Sequence, residues 1–85
     1  MQTQNYLIYI LRCSDGTLYT GITNNLTKRL QMHNLGKASK FTRVRLPVEL
    51  VYTEGAYSKS QALSREITIK KLNKKQKLAL IQNSY

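Results

Sequence analysis

Acidic side chains are scarce in this chain of 85 residues: Asp15, Glu49, Glu54 and Glu66 stand against fourteen lysines and arginines. Cysteine is scarcer still. Cys13 is alone, so no disulfide can form within the chain, and with His33 the only histidine a four-ligand zinc site of the usual kind is excluded as well. A lone cysteine suits a reducing, cytoplasmic setting, and Cys13, at the end of an apolar run, is expected to pack as a small hydrophobe. Tryptophan is absent, and no segment joins a large apolar face to aromatic anchors, which argues against a membrane-surface helix. The longest unbroken apolar run, Leu7 to Leu11, is far short of the ~20 residues that span a bilayer. The start, MQTQNY, has neither the basic region nor the apolar stretch of a signal peptide.

What is present is positive charge. A formal net charge of +10 on so short a chain points to a polyanionic partner, and nucleic acid is the common polyanion of the cytosol. Apart from Arg12, the cations fall in four places: Lys28 and Arg29; Lys37, Lys40, Arg43 and Arg45; Lys59 and Arg65; and Lys70 to Lys77. Such spread suits a folded surface better than a disordered tail. No repeat, linker or low-complexity stretch interrupts residues 1–85, so one small domain with a thin core is expected.

Against this background Glu66 stands out. The segment Ser58 to Asn73 reads as a helix, and on a wheel of ~100° per residue Ala62, Leu63 and Ile69 fall within about 60° of Glu66. The acid therefore lies along the apolar stripe, where a carboxylate is costly unless it is paired or holds a metal. The plainer reading is an i,i+4 pair with Lys70, worth a few tenths of a kcal/mol.

The remaining elements follow from pattern. Tyr6 to Arg12 and Thr17 to Thr23 read as strands, and Asn24 or Asn25 caps a helix to about Asn34 that buries Leu26 and Leu30 and closes at Gly36. Lys37 to Arg45 reads as a basic, polar connection. Pro47 leads into a third strand, Val48 to Thr53. Ser58 or Ser60 starts the helix carrying Glu66, and a last helix, Asn73 to Gln82, turns Leu78, Ile81 and Leu80 to the core. Tyr6, Tyr52 and Tyr57 are expected to pack or line the surface, and Tyr85 to fray. The order ββαβαα gives an α/β (α+β) domain with a three-stranded, antiparallel-type sheet flanked by helices.

The hairpin between the first two strands admits two registers. A two-residue turn at Asp15-Gly16 would set Tyr9 and Tyr19 on opposite faces. A three-residue loop, Ser14-Asp15-Gly16, with Gly16 left-handed and forming a bulge, pairs Cys13 with Thr17 instead. Then Leu11 opposes Tyr19, Tyr9 opposes Gly21, and all four share one face. Ser-Asp-Gly favours the second loop, because only its third residue needs positive φ.

Two tyrosines on one face, a glycine opposite the first, and a helix bearing Arg29 and His33 at i,i+4 resemble the GIY-YIG nuclease superfamily, in particular its small stand-alone bacterial members. Leu7-Ile8-Tyr9 stands where the family has GIY, Tyr19-Thr20-Gly21 where it has YIG, and Gly21 to Arg29 matches the stretch from glycine to arginine. His33 falls at a position the family often fills with His or Tyr, and Glu66 matches its metal-binding glutamate. The similarity runs from about Tyr6 to Ile81. Leu7 for glycine and Thr20 for isoleucine are departures, but neither removes a reacting group. Many members of the family also have a late asparagine after the glutamate, and Asn73 and Asn83 are both available for it.

The resemblance implies a divalent-metal-dependent endonuclease acting on DNA, branched or damaged forms included. In it Tyr9 is the general base, Tyr19 orients water or phosphate, Arg29 forks onto phosphate oxygens, and His33 meets a phosphate oxygen. Glu66 would hold one Mg²⁺ or Mn²⁺. The free pKa of tyrosine, near ~10, implies that a nearby cation or metal-bound water favours the Tyr9 phenolate. Lys28, Lys37, Lys40, Arg43 and Arg45 are the expected nucleic-acid contacts, with DNA favoured over RNA. With no added recognition domain, specificity would come from shape or from a protein partner. The alternative is a nucleic-acid-binding module of the same fold with little or no turnover. A small ribosome-associated protein would explain the charge but leaves Glu66 without a purpose.

Overall fold

In the computed structural model, which describes residues 5–83, the central strand is the most apolar one. Strand β1 (Tyr6–Arg12) is flanked by β2 (Leu18–Thr23) and β3 (Glu49–Tyr57) in an antiparallel sheet of order β2-β1-β3. Both its faces are covered, which is why YLIYILR shows no alternation of apolar and polar residues. Ile8 and Ile10 point to one side and pack with Ala62 and Ile69. Tyr9 and Leu11 point to the other and pack with Cys13 and Val48.

The hairpin adopts the three-residue loop. The Cys13 amide donates to the Thr17 carbonyl at 2.9 Å, and Gly16, at φ 84°, supplies the left-handed residue. Leu11 faces Tyr19 and Tyr9 faces Gly21, as that register requires. Thr20, on the opposite face, is buried, and its hydroxyl has no partner among the described residues.

Helix α1 (Leu26–Asn34) starts at Asn25, whose side chain accepts from the Lys28 amide, and the chain leaves it through Gly36 at φ 76°. The connection read as irregular contains a short helix, α2 (Lys40–Arg43), capped by the Ser39 side chain. Strand β3 runs on to Tyr57, beyond the expected end at Thr53. Its far end bends through Gly55, where a Cβ would meet the Tyr6 carbonyl oxygen at 2.8 Å. Helix α3 (Lys59–Lys70) opens with a capping box between Ser58 and Gln61, and α4 (Lys74–Gln82) with one between Asn73 and Gln76. Asn73 is thus the cap of α4, and α3 stops at Lys70, three residues before its expected end.

Two core assignments change. Helix α3 rests on the sheet through Ala62 and Ile69, so Leu63, one position round from Ala62, turns outward and is 43% exposed. On α4 it is Leu80 and Ile81 that pack against the core, while Leu78 is 39% exposed. Tyr6, Tyr52 and Tyr57 pack on the Ile8 side, and Tyr85 lies outside the described residues. Among the described residues no helix is long and apolar enough to cross a membrane.

Candidate active site

The register that puts Tyr9 opposite Gly21 has a steric reason. A Cβ at Gly21 would lie 2.5 Å from the Tyr9 hydroxyl, so the phenol ring crosses β2 where only glycine leaves room. Beyond it waits α1. His33, one turn after Arg29, is fully buried, and its Nε2 is 2.9 Å from the Tyr9 hydroxyl. Its Nδ1 is 2.9 Å from Thr42 Oγ1, a buried hydroxyl supplied by α2. Tyr19 completes the group, its ring centroid 6.4 Å from that of Tyr9 and 5.3 Å from that of His33.

Burial governs the electrostatics of this group. It pushes the Tyr9 hydroxyl above its ordinary pKa; Tyr19 and Glu66 add to the effect, and Arg29 opposes it. Burial also lowers the pKa of His33, helped by the Arg29 charge, so the imidazole is neutral at neutral pH. Two expectations are corrected by this. Of the two causes expected to favour a Tyr9 phenolate, a nearby cation does not suffice, because desolvation outweighs Arg29. Nor is His33 open to a phosphate oxygen, because both its ring nitrogens face partners inside the protein.

Arg29 lies on the exposed side of α1 and, with Lys28, Lys37, Met32 and the Thr23–Asn25 turn, lines an open concavity of about 330 Å³. A second concavity, of about 390 Å³, is lined by Lys37, Lys40 and Arg43 with the Gly36 turn. Since Lys37 and Ala38 line both, the two form one basic surface. Arg45 is not part of it. Its guanidinium donates to Asp15 at 3.1 Å and to the Phe41 carbonyl at 2.8 Å, and sits 3.9 Å from the Phe41 ring centroid. It holds α2 to the hairpin loop, which sets it apart from the unpaired cations among the expected nucleic-acid contacts.

Glu66 is largely covered, its side chain 18% exposed, and its Oε2 lies 3.8 Å from Lys70 Nζ. Among the described residues no group of three or more His, Cys, Asp or Glu side chains converges to hold a metal. A single carboxylate fits only an ion that keeps most of its own waters, which Mg²⁺ does.

Sequence reasoning missed the contribution of α2. Phe41 stacks on Tyr19, with centroids 6.0 Å apart and planes 25° from parallel, and Thr42 holds His33 from behind. The available signal was Ser39, a capping residue two positions before the only phenylalanine.

Residues 5–79 match the GIY-YIG catalytic domain. A UPF0213 protein of Clostridium perfringens is 56% identical over 93% of this chain and 84% of its own length. One from Oceanobacillus iheyensis is 51% identical over 96% of this chain and 94% of its own. The solution structure of a UPF0213 protein from Bacillus halodurans superposes with a TM-score of 0.61 at 38% identity, covering 93% of this chain and 84% of that one.

Proposed function

The chain belongs to the GIY-YIG nuclease-type family, and from that premise we propose that residues 1–85 form one domain that hydrolyses phosphodiester bonds of DNA with a divalent metal ion. The observation that carries this reading is the buried 2.9 Å hydrogen bond between Tyr9 and His33, set beside a surface of five cations. A binding module needs the cations. It has no use for a phenol whose proton is held by a neutral imidazole.

In the reaction, Arg29 forks onto two non-bridging oxygens of the scissile phosphate, while Lys28, Lys37, Lys40 and Arg43 hold flanking phosphates. Tyr9 has one hydrogen-bond partner among the described residues, His33, and keeps a lone pair for a water. As the water oxygen attacks phosphorus, its proton moves to the Tyr9 oxygen and the Tyr9 proton moves to His33 Nε2. The bond from phosphorus to the leaving oxygen breaks, solvent protonates the leaving oxygen, and the imidazolium later returns its proton by way of Tyr9 to solvent. Passing the proton along avoids a free phenolate; the imidazolium formed is itself opposed by burial and by Arg29, so it is transient. Tyr19, pinned by Phe41, turns its hydroxyl to the water or the phosphate. Glu66 is the residue that would hold Mg²⁺ or Mn²⁺, an ion that neutralises charge gathering on the phosphate and leaving oxygens.

The pairing of Glu66 with Lys70 favours the second reading, a binder of the same fold with little turnover, in which that carboxylate is only structural. Cleavage assays on duplex, single-stranded and branched DNA, with Mg²⁺, Mn²⁺ or a chelator, separate the two. Metal-dependent cleavage that Tyr9→Phe abolishes is the expected result. Salt-sensitive binding with no cleavage of any substrate would establish the binder instead.

A further inference from the structure

The proton path above requires His33 Nε2 to be bare. We propose that Thr42 ensures this: its hydroxyl selects the Nδ1–H tautomer of His33 and so fixes Tyr9 as the donor in the Tyr9–His33 hydrogen bond. Thr42 is then a positioning residue that acts on the reaction through two others.

Donors and acceptors can be counted among the protein groups themselves. Three groups are involved, all buried: Tyr9 at 2% exposure, His33 at 0% and Thr42 at 0%. A neutral imidazole has one N–H, a phenol one O–H and a threonine one O–H. Thr42 Oγ1 lies 2.9 Å from His33 Nδ1 and 3.4 Å from the Ser39 carbonyl oxygen, which can only accept. In the first arrangement the Thr42 proton goes to Ser39, its oxygen accepts from Nδ1–H, and Nε2 accepts from the Tyr9 hydroxyl. Every donor has a partner. In the second the Thr42 proton turns to Nδ1, Nε2–H donates to the Tyr9 oxygen, and the Tyr9 proton is left without a partner among the described residues. A buried donor without a partner is unfavourable by about 1–3 kcal/mol, so the first arrangement prevails. Loss of the Thr42 hydroxyl removes this preference, because either tautomer then leaves one buried donor unpaired, Nδ1–H in the first and the Tyr9 hydroxyl in the second. The imidazole proton is then expected to divide between Nδ1 and Nε2 instead of staying on Nδ1.

His33 is the only histidine, so the ring-nitrogen spectrum of uniformly ¹⁵N-labelled protein reads this tautomer without assignment work. Wild type is expected to show a protonated Nδ1 and a bare Nε2. Thr42→Val, which keeps the shape of the side chain, is expected to shift the signals toward Nε2–H, and Thr42→Ser to restore the wild-type pattern. A wild-type spectrum dominated by Nε2–H, or a Thr42→Val spectrum unchanged from wild type, overturns the proposal.

The consequence for turnover rests on the hydrolytic reading; the tautomer does not. Thr42→Val should lower kcat at least about 10-fold with KM little changed, a part of what a general base contributes, and Thr42→Ser should recover it. A tautomer that shifts while kcat stays at the wild-type value would remove Thr42 from the reaction. Absence of cleavage in wild type would count against the hydrolytic reading and leave the tautomer result to stand by itself.

Discussion

Glu66 shows how one residue carries two roles that a single substitution can separate. Glu66→Gln keeps size and helix preference but removes the charge that would hold a metal. As a metal ligand, its loss should lower cleavage at least ~100-fold, about 2.7 kcal/mol in the barrier, with little change in stability. As Lys70's partner only, it should leave cleavage intact and reduce stability by no more than a few tenths of a kcal/mol, read from a urea melt. Gly21 gives a second test at this scale. Gly21→Ala places a methyl 2.5 Å from the Tyr9 hydroxyl, so the ring must leave its place over β2. The Tyr9–His33 bond should break and cleavage fall as far as in Tyr9→Phe, even though alanine touches no substrate; activity near wild type would show that the ring position is unimportant. Tyr9, Tyr19 and Gly21 were legible as a group because strand period and loop chemistry fix which side chains share a face. The spent state of Arg45 was not legible. Its partners, Asp15 and Phe41, meet it only after the chain has folded back on the hairpin.

Among the elements, the strands and the three longer helices could be read from caps and apolar pattern, since Asn25, Ser58 and Asn73 all cap where expected or one residue from it. Helix α2 could not. Four residues give no period, and its support comes from Phe41 on Tyr19 and Thr42 on His33, both contacts with other elements. The join between β3 and α3 was equally hidden. Glu54, with a side chain 13% exposed, accepts from Tyr52, from Tyr57 at 2.7 Å and from Arg65 through two nitrogens at 2.5 and 3.1 Å. Burial alone would raise its pKa, but the hydrogen bonds from Arg65, Tyr52 and Tyr57 outweigh burial and lower it. A carboxylate with a lowered folded-state pKa contributes stability that is present above its ordinary pKa of 4.5 and lost as the pH falls through the lower, folded value. Glu54→Gln should therefore cost about 1–3 kcal/mol at pH 7. It should also flatten the loss of stability below pH 4.5; acid melts as steep as those of wild type would remove Glu54 from the account.

Over the whole molecule, charge is divided with some economy. Each of the four acids faces a cation: Asp15 faces Arg45, Glu49 faces Arg12, Glu54 faces Arg65 and Glu66 faces Lys70. Lys28, Arg29, Lys37, Lys40 and Arg43, on the surface beside the Tyr9 group, have no ion pair among the described residues. If all five neutralise phosphates, log K for duplex DNA should fall against log salt with a slope of about −4.5. Lys40→Ala should reduce that slope by about one, whereas Arg45→Ala should leave it unchanged. Affinity that stays constant between low and high salt would rule out this surface.

The sheet order β2-β1-β3 also governs when the chain can assemble. Tyr9, Tyr19, Arg29, His33 and Thr42 all lie in the first half of the sequence, and β1 and β2 can meet as a local hairpin soon after they are made. The other edge of β1 stays bare until β3 arrives some forty residues later, and Tyr6 finds Tyr57 only then. Closing that long loop is the slow, entropically costly event, and the α3 face of β1 stays wet until it is complete. The half of the chain that carries most of the chemistry is therefore expected not to fold by itself. It emerges first from synthesis and waits, with an open strand edge, for a second half whose first task is to cover it.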